Sequence, residues 1–88
     1  RLVALLAMGM GFRANFTGRE NVRFGSILLG MSAAECERLM PIIHDFSGLG
    51  SAFDQPYFTY SSGMKARLGF SLGSHVPSDI LILDETLS

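Results

Sequence analysis

Tyr60-Ser-Ser-Gly-Met-Lys-Ala-Arg-Leu-Gly-Phe-Ser71, a short linker, and Asp79-Ile-Leu-Ile-Leu-Asp-Glu-Thr-Leu-Ser88 decide how this chain is read. The first half is a turn of small residues that opens a helix. Ser61 or Ser62 is its cap, and Met64, Leu68 and Leu72 share one face. The second half holds four aliphatic residues in a row, Ile80 to Leu83, with no alternation. That is the pattern of a strand covered on both faces in a parallel sheet. Two carboxylates, Asp84 and Glu85, stand at its exit.

Each half carries a possible chemistry. A helix start offers free N–H groups and the positive end of the dipole to phosphate oxygens. Gly63 permits close approach, the serine hydroxyls can donate, and Lys65 and Arg67 add positive charge. An ordinary capped helix with a structural arginine fits the same residues. Ligands of open α/β sheets bind at the carboxyl ends of strands. There Asp84 can hold Mg²⁺ against nucleotide phosphates, and Glu85 can polarise an attacking water. A buried strand ending in two solvated acids fits that pattern equally.

Upstream, Leu2 to Met8 is a short apolar segment that reads as a strand or its end. Gly9 and Gly11 follow in a loop of unusual backbone angles. Thr17-Gly-Arg-Glu20 has capping-box spacing and opens a helix carrying Val22, Ile27 and Leu28 that ends near Gly30. Ser32-Ala-Ala-Glu35 repeats the spacing before a helix with Leu39, Ile42, Ile43 and Phe46. Pro41 inside it predicts a kink or a break, and Gly48 and Gly50 end it. Phe53 to Thr59 is a connector, and Pro77 stops the next helix. The predicted order is strand, loop, three helices, strand.

The composition narrows the class. Eighty-eight residues make one small domain or part of a larger one. A net charge of -1 leaves no basic footprint, so a nucleic-acid partner is disfavoured. The single cysteine, Cys36, excludes an internal disulfide and reads as a packing residue. The longest apolar run is far short of the roughly 20 residues that span a bilayer. The chain starts within a strand-like segment without a methionine and stops just after the acidic pair. The expectation is an internal fragment, poorly folded alone.

The serine-glycine helix start, one helix, then the aliphatic strand ending Asp84-Glu85 together resemble the ABC ATPases. Tyr60-Ser-Ser-Gly-Met64 stands where that family commonly has Leu-Ser-Gly-Gly-Gln, and Ser61, Gly63 and Arg67 match. Thr17-Gly-Arg-Glu-Asn21 and Asp54-Gln-Pro56 are similar to one branch, the ATP-binding subunits of teichoic acid, O-antigen and other polysaccharide exporters. The resemblance covers about residues 11–88. It implies an α/β, partial P-loop NTPase fold: a helical subdomain over about residues 17–75, and the Walker B strand and start of the D-loop over 79–88. It implies ATP and Mg²⁺ as cofactors. Ser61, Ser62, Gly63 and Met64 would contact ATP held by a second subunit, Glu85 would be the catalytic base, and Asp84 would organise Mg²⁺, through water. Leu87 and Ser88 would begin the D-loop.

The implied partners are a membrane permease and a second ATPase subunit, at the cytoplasmic face of the bacterial inner membrane. Phe12 and Phe16 read either as permease-docking residues or as core aromatics. There is no Walker A: Lys65 is the only lysine and follows the signature. The fragment alone is therefore expected to be inactive. The glutamine expected near residues 7–12 is absent, and His44 and His75 match no switch role. Two rival readings keep less of the resemblance: a non-transport ATPase of the same fold, and a non-enzymatic interaction fragment.

Overall fold

Five α-helices and two 3-10 turns make up residues 1–87, which the computed structural model describes. They are α1 (Leu2–Ala7), α2 (Gly18–Leu28), α3 (Ala33–Ser47), α4 (Ser62–Gly73) and α5 (Ser78–Leu87). The turns, Gly50–Asp54 and Tyr57–Thr59, fill the connector between α3 and α4. Ser88, read above as part of a D-loop, lies outside the described residues.

The helix starts follow the sequence. The Thr17 hydroxyl accepts from the Glu20 N–H at 3.0 Å, and the Glu20 carboxylate accepts from the Thr17 N–H at 2.9 Å. This is a complete capping box. Ser32 caps α3 by accepting from the Glu35 N–H at 3.1 Å. At the other end of α3, Gly48 adopts φ 66°, a left-handed cap that glycine takes without strain. Gly9 and Gly11 also have positive φ, as their loop predicts. Pro41 does not break α3, which runs through it. Pro41 and Glu37 are exposed, so water can meet the Glu37 carbonyl that has lost its donor.

The core lies where α1, α2, α3 and α4 meet. Val22, Phe53, Leu68 and Leu72 are fully buried, with Leu6, Met40 and Ile43 nearly so. Full burial of such a side chain stabilises by about 1.5–3 kcal/mol. Ile27, Leu28, Ile42 and Phe46 share those helices but face outward. The backbones of α1 and α4 approach closely. A Cβ on Gly69 would fall on the Ala7 carbonyl, and one on Gly73 would meet the Ala7 Cβ at 2.9 Å.

Both predicted strands are helices, so the α/β expectation is corrected for the described residues. Their one β feature is an isolated antiparallel bridge, Thr17 to Pro56. The reason is backbone satisfaction. A strand must find partners for its N–H and C=O groups on a neighbouring strand, whereas a helix pairs them internally. Leu2–Ala7, rich in leucine and alanine, has strong intrinsic helix preference. In α5, Ile80 and Leu81 donate to the Pro77 carbonyl at 3.1 Å, and Asp79 sits favourably in the first turn. The four aliphatics then point in all directions. Ile80 packs on the core, while Leu81, Ile82 and Leu83 are exposed, Ile82 by 65%.

Candidate functional site at the serine cap

Ser61 has extended backbone angles, φ -69° and ψ 166°, and its Oγ accepts from the Met64 N–H at 3.1 Å. Ser61, not Ser62, is thus the cap. Ser62 and Gly63 take the first two helical positions, whose N–H groups have no acceptor within the helix. Ser61, Ser62 and Gly63 are exposed, and Met64 is half-buried. The first turn holds no acidic residue. A Cβ at Gly63 would meet nothing closer than the Ser61 Oγ at 4.0 Å. An anion can therefore reach the positive end of a 12-residue helix without a competing carboxylate.

The two flanking cations are engaged elsewhere. Lys65 Nζ lies 5.1 Å from the centre of the Tyr57 ring. Arg67 donates from Nε to the Ser47 carbonyl at 3.2 Å and from Nη2 to the Gly48 carbonyl at 3.0 Å. Arg67 is thus a structural arginine in this arrangement: it closes the end of α3.

The acidic pair lies at the other end of the molecule. Asp84 accepts from the Leu2 N–H at 3.0 Å and the Val3 N–H at 3.2 Å, and it pairs with the Arg1 ammonium. The bond from that ammonium is the main cause that holds the carboxyl below the usual carboxylate range; desolvation opposes it, and the Val3 and Leu2 N–H groups each add a smaller lowering. Asp84 and Glu85 border an open cleft with Arg1, Val3, Ala4 and Leu81, and Glu85 is exposed. Because Ala7 packs on Gly69 and Gly73, the Leu2 end of α1 lies beyond the C-terminal half of α4. The serine cap is at the N-terminus of that helix, which is about 18 Å long. One chain does not bring the two predicted elements together.

The residues fit the two implied groups differently. The serine cap fits a phosphate. Asp84 has its two carboxylate oxygens engaged by the Leu2 and Val3 N–H groups in this arrangement. Among the described residues no three or more His, Cys, Asp or Glu side chains cluster as metal ligands do.

Comparison with known proteins places the chain. It is 50% identical, over its whole length, to the O-antigen export system ATP-binding protein RfbB of Myxococcus xanthus. Identity is 46% over 97% of the chain to the teichoic acids export ATP-binding protein TagH of Shouchella clausii. It is 47% over the whole chain to RfbB of Klebsiella pneumoniae. The chain is homologous to O-antigen and teichoic acid export ATP-binding proteins. It spans 20%, 24% and 36% of the length of these three curated relatives. No family model matches it.

Several other residues of this chain find plain structural roles. Phe12 is half-buried against the core and meets Tyr57 edge-on at 5.7 Å. Phe16 is half-buried and meets Phe24 edge-on at 6.1 Å, beside a shallow groove bordered by Glu20, Arg23 and Ile27. His44 stacks on Phe53 at 4.3 Å and bonds through Nε2 to the Gly50 carbonyl at 2.8 Å. His75 bonds through Nδ1 to the Ser71 carbonyl at 2.7 Å. Cys36 is buried and free. No helix among the described residues is long and apolar enough to cross a membrane.

Sequence reasoning missed two residues that shape the approach to the cap. Asn21, fully buried, accepts from the Arg13 N–H at 2.7 Å and donates to the Arg13 carbonyl at 3.0 Å. Phe16 and Ala14 then accept from the Tyr57 and Phe58 N–H groups at 2.7 and 2.9 Å. The second residue is Tyr60, whose hydroxyl donates to the Ala52 carbonyl. A signal for Asn21 was present: it lies one turn from both Gly18 and Gly25, on the face that packs inward.

Proposed function

We propose that the complete protein is the ATP-hydrolysing subunit of a transporter that exports O-antigen, teichoic acid or a similar polysaccharide. The relatives' names supply the function, and the exposed, acid-free serine cap is the observation that carries it to these residues. Ser61, Ser62, Gly63 and Met64 would face the terminal phosphate of ATP bound on a second subunit. The N–H groups of Ser62 and Gly63 would donate to it. A site completed by a second subunit does not require the cap and the acidic pair to meet within one chain.

In that protein the fold is the α/β, P-loop type. Residues of about 17–75 form the helical subdomain, and 79–88 hold the Walker B strand and the start of the D-loop, the strand pairing with neighbours that lie outside these 88 residues. The support is the apolar surface of α1 and α5. Leu2, Leu5, Met8, Leu81, Ile82 and Leu83 all stand exposed, as residues of a sheet would without its covering layers. As a strand, Ile80 to Leu83 would present Asp84 and Glu85 at its carboxyl end, with Asp84 freed from Leu2 and Val3. Glu85 would be the general base toward water, and Asp84 would organise Mg²⁺, which screens phosphate charge when bound. The partners are a membrane permease and a second copy or homologue of the ATPase, at the cytoplasmic face of the inner membrane.

The test is Glu85→Gln in the full-length protein assembled with its permease. ATP should still bind while turnover falls by at least about 100-fold, the scale of losing a positioned base. Undiminished hydrolysis would remove Glu85 from that role.

A further inference from the structure

Tyr60 immediately precedes the serine cap, and its side chain is fastened to a rigid part of the fold. It is only 6% exposed. Its hydroxyl donates to the Ala52 carbonyl at 2.5 Å, and its ring lies 5.4 Å from that of Tyr57. The Ala52 carbonyl is itself fixed. It also accepts from the Gln55 N–H at 3.0 Å, inside the turn that carries the fully buried Phe53. That turn ends at Asp54, which pairs with Arg19 of α2 through 2.7 and 3.2 Å bonds. Gly18 gives the phenol its room, because a Cβ there would fall on the Tyr60 oxygen. A phenol is already protonated at neutral pH, and burial only pushes this one further up, so it is a donor.

One peptide bond separates this anchor from Ser61. Tyr60 and Ser61 are both extended, φ -78° with ψ 144° and φ -69° with ψ 166°. No slack loop lies between the phenol and the cap. We propose that Tyr60 is a positioning residue for the serine cap, and that its hydroxyl, held by Ala52, sets where Ser61, Ser62 and Gly63 stand against a bound phosphate. The proposal rests on the reading of the cap as a phosphate site. It assigns a task to the tyrosine that the leucine of the commoner Leu-Ser-Gly-Gly-Gln form cannot perform, since leucine has no donor. Small errors in such placement are costly, because a shift of about 1 Å in a reacting group can cost about 100-fold in rate.

The experiment uses the full-length protein in complex with its permease and reads steady-state ATP hydrolysis and thermal melting. Tyr60→Phe keeps the ring and deletes the anchor. Its kcat should fall about 10-fold with KM for ATP within about twofold, since the nucleotide is held mainly by the other subunit. Its Tm should move by less than about 5 °C. Tyr60→Leu should lose at least as much kcat. A Tyr60→Phe kcat within about twofold of the parent overturns the proposal. So does a kcat loss matched by loss of folded protein at the assay temperature. Gly63→Glu separates this idea from the one beneath it by putting a carboxylate in the cap. If Gly63→Glu abolishes turnover and Tyr60→Phe does not, only the role of Tyr60 falls. If Gly63→Glu is harmless, the phosphate reading of the cap falls, and the proposal with it.

Discussion

Arg67 donates to the Gly48 carbonyl at 3.0 Å, so the helix that begins at the serine cap is tied to the end of α3. The same guanidinium reaches Ser47 at 3.2 Å. Two orphan carbonyls at a helix C-terminus gain a positive donor, which bond strength and the helix dipole both favour. Arg67 is exposed, so solvent limits the effect. Arg67→Ala should cost about 1 kcal/mol, and Arg67→Lys should recover only part of it, because lysine lacks the planar fork. Urea unfolding of the three proteins at constant salt measures both values.

Asn21 is the polar residue with most at stake in the interior. Its amide bonds both backbone groups of Arg13 and thereby holds the segment whose Ala14 and Phe16 carbonyls receive Phe58 and Tyr57. Asn21→Leu would fill similar space but strand the Arg13 N–H and C=O. The expected loss is about 2–6 kcal/mol, from two part-buried groups each costing about 1–3 kcal/mol when left without a partner. Amide exchange at Tyr57 and Phe58 should speed up more than at Leu68 or Leu72. Equal acceleration at all four would show that Asn21 stabilises globally, without a local hold on the segment.

These two residues mark how far the sequence could be read. Capping chemistry is local, so Thr17, Ser32 and the Ser61-Ser62 pair disclosed three helix starts, and Gly48 the end of one. The apolar spacing marked Leu68 and Leu72 as core. Asn21, Tyr60 and Arg67 work through residues 8 to 20 positions away, and no local pattern announces such bonds. The helix that Ile80 to Leu83 adopt here was hidden for a different reason. An aliphatic run has no polar face to mark a period, so whether it forms helix or strand depends on which neighbours supply hydrogen bonds. Among residues 1–87 no strand does.

The Arg19–Asp54 pair predicts a weak acid dependence. The Arg19 hydrogen bond holds the Asp54 carboxyl below the usual carboxylate range, with burial opposing it. Because the folded value is the lower one, the stabilisation is complete above the unfolded value, about pH 4. It is lost as pH falls through the folded value. Asp54 is more than half exposed, so the effect belongs with surface pairs at about 0.2–1 kcal/mol. Asp54→Asn should reduce stability by that amount at pH 7 and by almost nothing at pH 2. A difference that persists at pH 2 would point to packing of Arg19 over the Phe53 ring instead.

Two glycines of α4 should separate stability from function. A methyl at Gly69 runs into the Ala7 backbone, and backbone cannot step aside as a side-chain tip can. Gly69→Ala should therefore cost about 1–3 kcal/mol, the range for overpacking, and loosen α1 from α4. Gly63 is exposed, and its added methyl meets only ordinary space. There Ala should leave stability unchanged or raise it by up to about 1 kcal/mol, through better helix propensity. If a phosphate closes on the cap, that same methyl stands where the ligand must come. ATP turnover of full-length Gly63→Ala should fall while its melting temperature holds or rises. A stable Gly63→Ala protein with parental turnover would show that no ligand approaches the first turn of α4 closely enough to notice a methyl group.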